Sequence, residues 1–299
     1  MSIWQDKSTG AHLDELCKLS LKRQFEVRRL EYECREHDHT FSEADLTANR
    51  CFSRSFKCFY LYYDGGRLAG FLQLFAPTKD EAEITGFVDP ILRGNGIFKR
   101  MFTYASLELQ KYKIENACFV LEPGSPDANE VAKHLKLEND RSELLMLLDD
   151  AKYQEWQDGY AAASVLKVSN DRTVSVPMET DGSEREFALK SEYEPGNRTI
   201  TVRIEDDQHG CIGRISAEYD ETASGGTVFI YGFEVEEDYR NRGIGKLIMN
   251  EMVREACVRF PDAKLKLQVS TLSAAACHIY EQMGFLTESR LDYYIAESN

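Results

Sequence analysis

The chain has 299 residues, and its 36 basic against 51 acidic side chains give a formal net charge of −15. That balance offers no general attraction to phosphate backbones, so no nucleic acid is expected as partner, and cationic small molecules or basic peptides are favoured instead. A length beyond the usual single core implies two domains, and a hydrophobic fraction of 42% excludes a largely disordered chain.

Leu13, Leu16, Leu19, Phe25, Leu30 and Tyr32 recur at helical spacing and predict a helix over residues 13–36. The aromatic run at 56–63, the turn signal Asp64-Gly65-Gly66 and the apolar run at 68–75 read as a β-hairpin. A strand at 83–88, a helix at 97–113, a strand at 117–121, a helix at 127–137 and a strand at 143–148 complete the first half. Residues 150–163 read as the boundary. Short β-prone pieces follow at 165–168, 173–176 and 186–190, with a turn signal at 179–183. Strands at 199–204, 211–219 and 227–235, a helix at 244–260, a strand at 265–269, a helix at 274–283 and a strand at 291–295 close the chain.

The eight cysteines (Cys17, Cys34, Cys51, Cys58, Cys118, Cys211, Cys257 and Cys277) show no C-x-x-C spacing, and a chain this long needs no disulfide staples. They are expected to be reduced, in a cytoplasmic protein. The N-terminus lacks a basic region followed by an apolar run, so no signal peptide is expected. No run approaches ~18 apolar residues, so no membrane span is expected. Glu36-His37-Asp38-His39 has no partners at ligand spacing, and no metal site is expected.

The two halves align at a fixed offset. Val88-x-x-x-x-Arg93-Gly94-Asn95-Gly96-Ile97 matches Val235-x-x-x-x-Arg240-Asn241-Arg242-Gly243-Ile244, 147 residues later. A period this long means two copies of a domain, because solenoid periods run to about 20–50 residues. The expected domains are 1–155 and 160–299.

The second copy carries the stronger chemical signal. A strand ending Tyr231-Gly232-Phe233-Glu234-Val235 leads through Arg240, Asn241 and Arg242 to a helix that opens Gly243-Ile244-Gly245-Lys246. The first turn of a helix has unpartnered N–H groups and partial positive charge, which together bind anions. Glycines expose those amides, and Arg240, Arg242 and Lys246 reverse the local charge of an acidic chain. There is no G-x-x-x-x-G-K-[ST], and no third glycine completes a dinucleotide fingerprint.

Arg240-x-x-Gly243-x-Gly245 after this strand resembles motif A of the GNAT N-acetyltransferase family, (R/Q)-x-x-G-x-(G/A). Ser273-Ala274-Ala275-Ala276-Cys277-His278-Ile279-Tyr280-Glu281-Gln282-Met283-Gly284-Phe285 is similar to that family's N-x-x-A-x-x-x-Y-E-K-x-G-F, with Ser273 in place of the asparagine. The resemblance implies an α/β fold of two tandem GNAT-like domains, each a central mixed sheet flanked by helices. It implies acetyl-CoA as co-substrate, held by Phe233, Val235, Arg240, Asn241, Arg242, Gly243, Ile244, Gly245, Lys246 and Ser273, and direct acetyl transfer to a primary amine of a small molecule or peptide. Tyr280 would protonate the leaving thiolate, and an amide near Val235 would polarise the thioester. The base is Glu234 or a water chain. Regular alternation groups Tyr231, Phe233 and Val235 on one face and turns Glu234 to the other, unless a bulge intervenes. The rival readings are a CoA-binding sensor or scaffold without turnover, and an enzyme using another acyl-CoA such as succinyl-CoA.

The first copy departs from the motif. Phe98 stands where Gly245 stands, to crowd a pyrophosphate or to pack on the sheet. Lys133 or His134 replaces Tyr280, and Glu138-Asn139 replace Gly284-Phe285. This copy is expected to be degenerate, with His134 an ordinary helix-surface residue.

Overall fold

The structure, a computed structural model, describes residues 2–6, 8–46, 51–163, 166–178, 183–221 and 226–296. The expected turn at 179–182 and the start of the β-prone piece at 165 lie outside the described residues. The chain divides into two compact units, Met1–Glu143 with Ser289–Asn299, and Leu144–Glu288.

The first unit runs through β1 (Ser2–Gln5), β2 (His12–Leu16), α1 (Leu21–Asp38), β3 (Phe59–Asp64), β4 (Arg67–Phe75), β5 (Glu81–Val88), α2 (Ile97–Tyr112), β6 (Asn116–Leu121), α3 (Pro126–Leu135) and the start of β7 (Leu137–Leu148). Strands β1 to β6 lie side by side in sequence order. Neighbours are antiparallel except β5 and β6, which are parallel. Asp64 pairs with Arg67 across Gly65 and Gly66, whose φ values of 54° and 79° are the positive pair a tight hairpin needs.

The helix expected over 13–36 is a strand followed by a helix. Leu13 is fully buried in β2 opposite Tyr62 of β3. Ser20 then starts α1, its hydroxyl accepting from the Arg23 amide at 3.4 Å. Ladder pairing with an aromatic hairpin outweighs a helical spacing of leucines, since β preference is set by packing on neighbours.

The second unit comprises α4 (Asp150–Ala163), β8 (Thr173–Pro177), β9 (Glu184–Glu194), β10 (Thr199–Asp206), β11 (Gly210–Asp220), β12 (Thr227–Val235), α5 (Ile244–Arg259), β13 (Lys264–Ser270), α6 (Ala274–Gln282) and the start of β14 (Phe285–Ala296). Strands β8 to β12 form an antiparallel run, and β12 pairs with β13 in parallel. Residues 150–163, expected as the boundary, form helix α4 within the second unit. The compact units also differ from two contiguous stretches: their division falls inside β7 and β14. Asp292 to Ile295 pair with Leu121 to Cys118 of β6, which gives the last strand to the first unit.

The same strand arrangement positions the glycine loop in each unit. The parallel pairing of β5 with β6 ends at Ile84 and Phe119, and that of β12 with β13 ends at Ile230 and Leu267. The second half of each first-named strand keeps only its antiparallel neighbour, so the parallel strands part before each glycine loop. α2 packs on β4, with Ile97 and Met101 over Gly70. α5 packs likewise on β11, with Ile244 and Ile248 over Gly213.

Candidate functional site

Beyond Ile230, β12 does not alternate regularly. Val235 faces Gly213, Glu234 faces Arg214, and the next aligned pair is Tyr231 with Ser216, so three steps of β12 span two of β11. Gly232, at φ +64°, lies in this bulge, in a backbone region that glycine enters without a Cβ clash. The bulge resets the faces. Phe233 and Val235 pack against the core while Tyr231 and Glu234 are both exposed. The face shared by Tyr231, Phe233 and Val235 in a regular strand does not form.

After Glu236, whose amide donates to the Ile212 carbonyl at 3.0 Å, a short turn leads to Arg240. Arg240 folds back, Nε donating to the Val235 carbonyl at 2.9 Å. Arg242 donates Nε and Nη2 to the Asp238 carbonyl at 3.2 and 2.9 Å, and Nη1 to the Pro177 carbonyl at 2.7 Å. These guanidinium groups, expected to face a pyrophosphate, brace the loop through backbone carbonyls. Asn241 is exposed at φ 61°, and Gly243 caps α5 at φ 87°. α5 begins with no side-chain cap and no acidic residue in its first turn, which contains Lys246. Ile244 contributes its backbone there, while its side chain is buried on Gly213.

Gly245 has a second reason to be glycine. A Cβ there would meet Cζ of Phe233 at 3.1 Å and Cδ1 of Ile279 at 3.2 Å. The Phe233 ring in turn lies 5.7 Å from that of Tyr280, which contacts Phe285 at 6.0 Å. Tyr280 is 5% exposed. Burial, and then the nearby Cys277, push its hydroxyl well above the ordinary phenol range, so it stays protonated and can donate but not act as a phenolate. Ser273 is exposed at the start of α6, where its side chain makes no cap; its carbonyl accepts from the Cys277 amide at 3.0 Å.

Glu234 is held by a residue that the sequence reading does not single out. Arg214, opposite it on β11, donates Nε at 3.0 Å and Nη2 at 2.9 Å to the same carboxylate oxygen. The two side chains line a cavity of about 270 Å³ together with Cys211, Ile212, Gly213 and Glu236. Periodicity gives no signal for this pairing, because the bulge sets the register across β11 and β12. The isolated glycine in a β-prone run is the signal for the bulge itself.

The first unit treats the same positions differently. β5 and β4 stay in unbroken register from Val88 opposite Gly70 to Glu83 opposite Phe75. Arg93 makes two 2.7 Å bonds to Asp38, a 2.5 Å bond to Asp127 and a 3.1 Å bond to the Val88 carbonyl. Phe98 packs on the sheet: a Cβ at Gly86 would meet its Cε2 at 3.0 Å, and its ring lies 6.4 Å from Phe119. Lys133 and His134 are exposed on α3.

Residues 164–285, which make up most of the second unit, match the model of the acetyltransferase (GNAT) family. Over the whole chain the fold is that of tandem GNAT proteins. A tandem GNAT protein from the clavulanic acid biosynthesis pathway covers 97% of this chain and 99% of its own, with TM-score 0.66 and 14% identity. A GCN5-related N-acetyltransferase from Sphaerobacter thermophilus covers 98% and 96%, with TM-score 0.62 and 14% identity. In sequence, a spermine/spermidine N(1)-acetyltransferase of Bacillus subtilis is 25% identical over 76 residues, which is 25% of this chain and 50% of that protein. The chain thus spans about half the length of the curated relatives it matches. Among the described residues no helix is long and apolar enough to cross a membrane, and no side-chain group is arranged to hold a metal ion.

Proposed function

We propose that the chain is an acetyl-CoA-dependent N-acetyltransferase whose second unit transfers acetyl directly to a primary amine of a small molecule or peptide. One observation carries the reading. In the unit that matches the family, a strand bulged at Gly232 leads into a helix start without side-chain cap or acidic residue, and the buried Tyr280 lies behind it against Phe233.

That helix start fits a pyrophosphate, and the amides of residues 243–246 with Lys246 would hold it. Acetyl-CoA, as co-substrate, supplies the activated thioester. Tyr280 keeps its proton at neutral pH and would give it to the departing sulfur. Glu234 would take the amine proton, directly or through water, once its bond to Arg214 opens. The acidic balance of the chain suits a cationic amine, and the polyamine named for the Bacillus subtilis relative falls in that class.

A second reading, a CoA-binding sensor without turnover, is favoured by the Arg214–Glu234 pair and by Ser273 at the asparagine position. The test is titration with acetyl-CoA and thiol release over an amine panel that includes spermidine, for wild type and Tyr280→Phe. The expected result is unchanged acetyl-CoA binding in the variant and thiol release slowed by about 10²-fold or more. Binding by wild type with no release on any amine would favour the sensor. Absence of binding would remove both readings.

A further inference from the structure

Among the described residues, five of the eight cysteines have no thiol neighbour. Cys34 donates to the Val88 carbonyl at 3.3 Å, Cys118 to Glu81 at 3.2 Å, Cys211 to the Gly213 carbonyl at 3.4 Å and Cys277 to the Ser270 carbonyl at 3.7 Å. Cys257 is exposed on α5. Cys17 meets Cys58 through its backbone carbonyl, which accepts from the Cys58 thiol. Cys51 and Cys58 differ. They flank the segment that leads into β3, and the sheet draws its two ends together. The Phe52 amide donates to the Ala76 carbonyl at 2.8 Å, and the Leu74 amide to the Cys58 carbonyl at 2.9 Å. Cys51 Sγ lies 3.8 Å from the carbonyl of Leu74, the residue bonded to Cys58. Leu74 therefore joins the two residues, its carbonyl accepting from the Cys51 thiol and its amide donating to the Cys58 carbonyl, and the two side chains interact.

The pair is asymmetric. Cys58 is 1% exposed and Cys51 is half-buried. The Cys58 thiol donates to the Cys17 carbonyl at 3.4 Å. The neighbouring Cys58 side chain, and then the Ala76 amide, hold the ionisation of Cys51 below the ordinary thiol range. The Cys58 thiol is pushed up by Cys51 and then by burial. Burial also pushes up Cys34, Cys118, Cys257 and Cys277. A thiolate at the surface side of a buried thiol is the arrangement in which the first attacks and the second resolves.

We propose that Cys51 and Cys58 form a dithiol modification site in the first unit, converted to a disulfide by hydroperoxides. The Cys51 thiolate attacks a peroxide oxygen, the O–O bond breaks, and Cys51 carries S–OH while water or alcohol leaves. Cys58 then attacks the Cys51 sulfur, the S–O bond breaks and water leaves. Two thiols lose two electrons and two protons, and the peroxide is reduced. The disulfide would tie down the segment carrying Phe52 and Phe56, whose rings pack on Tyr112 of α2 at 5.4 and 5.5 Å.

The test treats the full chain with hydrogen peroxide at neutral pH, alkylates it and digests it with trypsin. Cleavage after Arg50, Arg54, Lys57 and Arg67 separates the two cysteines into peptides 51–54 and 58–67. The expected product is those peptides joined, in a chain lighter by about 2 Da, the two hydrogens lost. Dithiothreitol separates them, Cys51→Ser or Cys58→Ser abolishes the product, and Cys17→Ser retains it. Before oxidation, Cys51 should be alkylated at least about tenfold faster than Cys58. Cys58 joined to Cys17, Cys51 driven to sulfinic acid without joining, or Cys51 unchanged while exposed Cys257 is oxidised would each overturn the proposal.

Discussion

The loop after β5 and the loop after β12 share Val, Arg, Gly and Ile at matching positions and use the arginine for opposite purposes. In the first unit the motif arginine is gripped by two carboxylates, Asp38 from the end of α1 and Asp127 from the start of α3. In the second, Arg240 bonds only to the end of its own strand and has no carboxylate partner among the described residues. The strand before the loop is regular in one and bulged in the other. The ring that fills the space between strand and helix has also changed owner. Phe98 of α2 lies over Gly86 of β5, whereas Phe233 of β12 lies over Gly245 of α5, and both pairs are separated by the same 147 residues. Packing volume is conserved while its source is exchanged, which leaves only the second helix with glycine in its first turn. A motif arginine can therefore be a clamp or a loop brace, according to whether acids from neighbouring helices reach it.

Arg93→Met should break that contrast most strongly. It leaves Asp38, 12% exposed, without its guanidinium, and should cost about 2–4 kcal/mol of stability, as loss of one partner of a largely buried pair does. Arg240→Met should leave the melting temperature nearly unchanged and weaken acetyl-CoA. Equal loss of stability in both would erase the distinction. Next comes the ring exchange. Gly245→Phe overpacks against Phe233 and Ile279 and should destabilise by about 1–3 kcal/mol. Adding Phe233→Gly recreates the arrangement of the first unit and should restore much of the loss in thermal melts. A double variant worse than the sum of the singles would refute the exchange.

A smaller effect is expected from charge reversal in the two first turns. Lys246→Glu should weaken acetyl-CoA on the order of 10-fold, about 1.4 kcal/mol, whereas Lys99→Glu, at the matching place in α2, should leave the titration unchanged. The reverse ranking would move the proposed site to the first unit.

The smallest effect is in pH dependence, where one carboxylate in each unit acts with opposite sign. Burial would raise Glu251 of α5, but Arg254 and Arg172 bond to it at distances down to 2.8 and 2.5 Å and bring it down to about 2. Its contribution is present above the unfolded value near 4.5 and is lost as pH falls toward 2. Burial, then repulsion from Glu143, raises Glu83 of β5 to about 7. The native state then holds a proton that the unfolded state has released, so stability should rise as pH falls from about 7 to about 4.5. Unfolding midpoints of Glu251→Gln and Glu83→Gln between pH 3 and 8, a window on the order of these ionisations, should each lose its own slope and keep the other.

Much of this was legible in the sequence for local reasons. The hairpin turn needs two residues at positive φ and has Gly65-Gly66. The motif helices α2 and α5 begin at glycine, and most strands and helices beyond Phe56, α4 excepted, fall close to the expected places, because each is written in nearby spacing and turn chemistry. The departures have tertiary causes. Leu13 and Leu16 fit a helical stripe but join a sheet between β1 and β3, the latter more than forty residues on. Residues 150–163, read as the boundary, fold as helix α4. Phe98 offered two readings, and only the empty space over Gly86 chose packing on the sheet.

By itself, the sequence determined the α/β repeat, most of the element order beyond Phe56, and the second copy as the one that keeps both motifs but for Ser273. Those properties follow from periodicity, glycine placement and residue identity at fixed spacing. Only the tertiary structure decided which side chains share a face and which charges meet. One extra residue at Gly232 turns Glu234 toward the same side as Tyr231, and the register of β11 then puts Arg214 on it. Asp38 and Asp127 reach Arg93 from helices distant in sequence, and Cys51 comes within reach of Cys58 because Ala76 and Leu74 hold the ends of the intervening segment. These pairings depend on register and packing across the sheet, which no local window of residues contains.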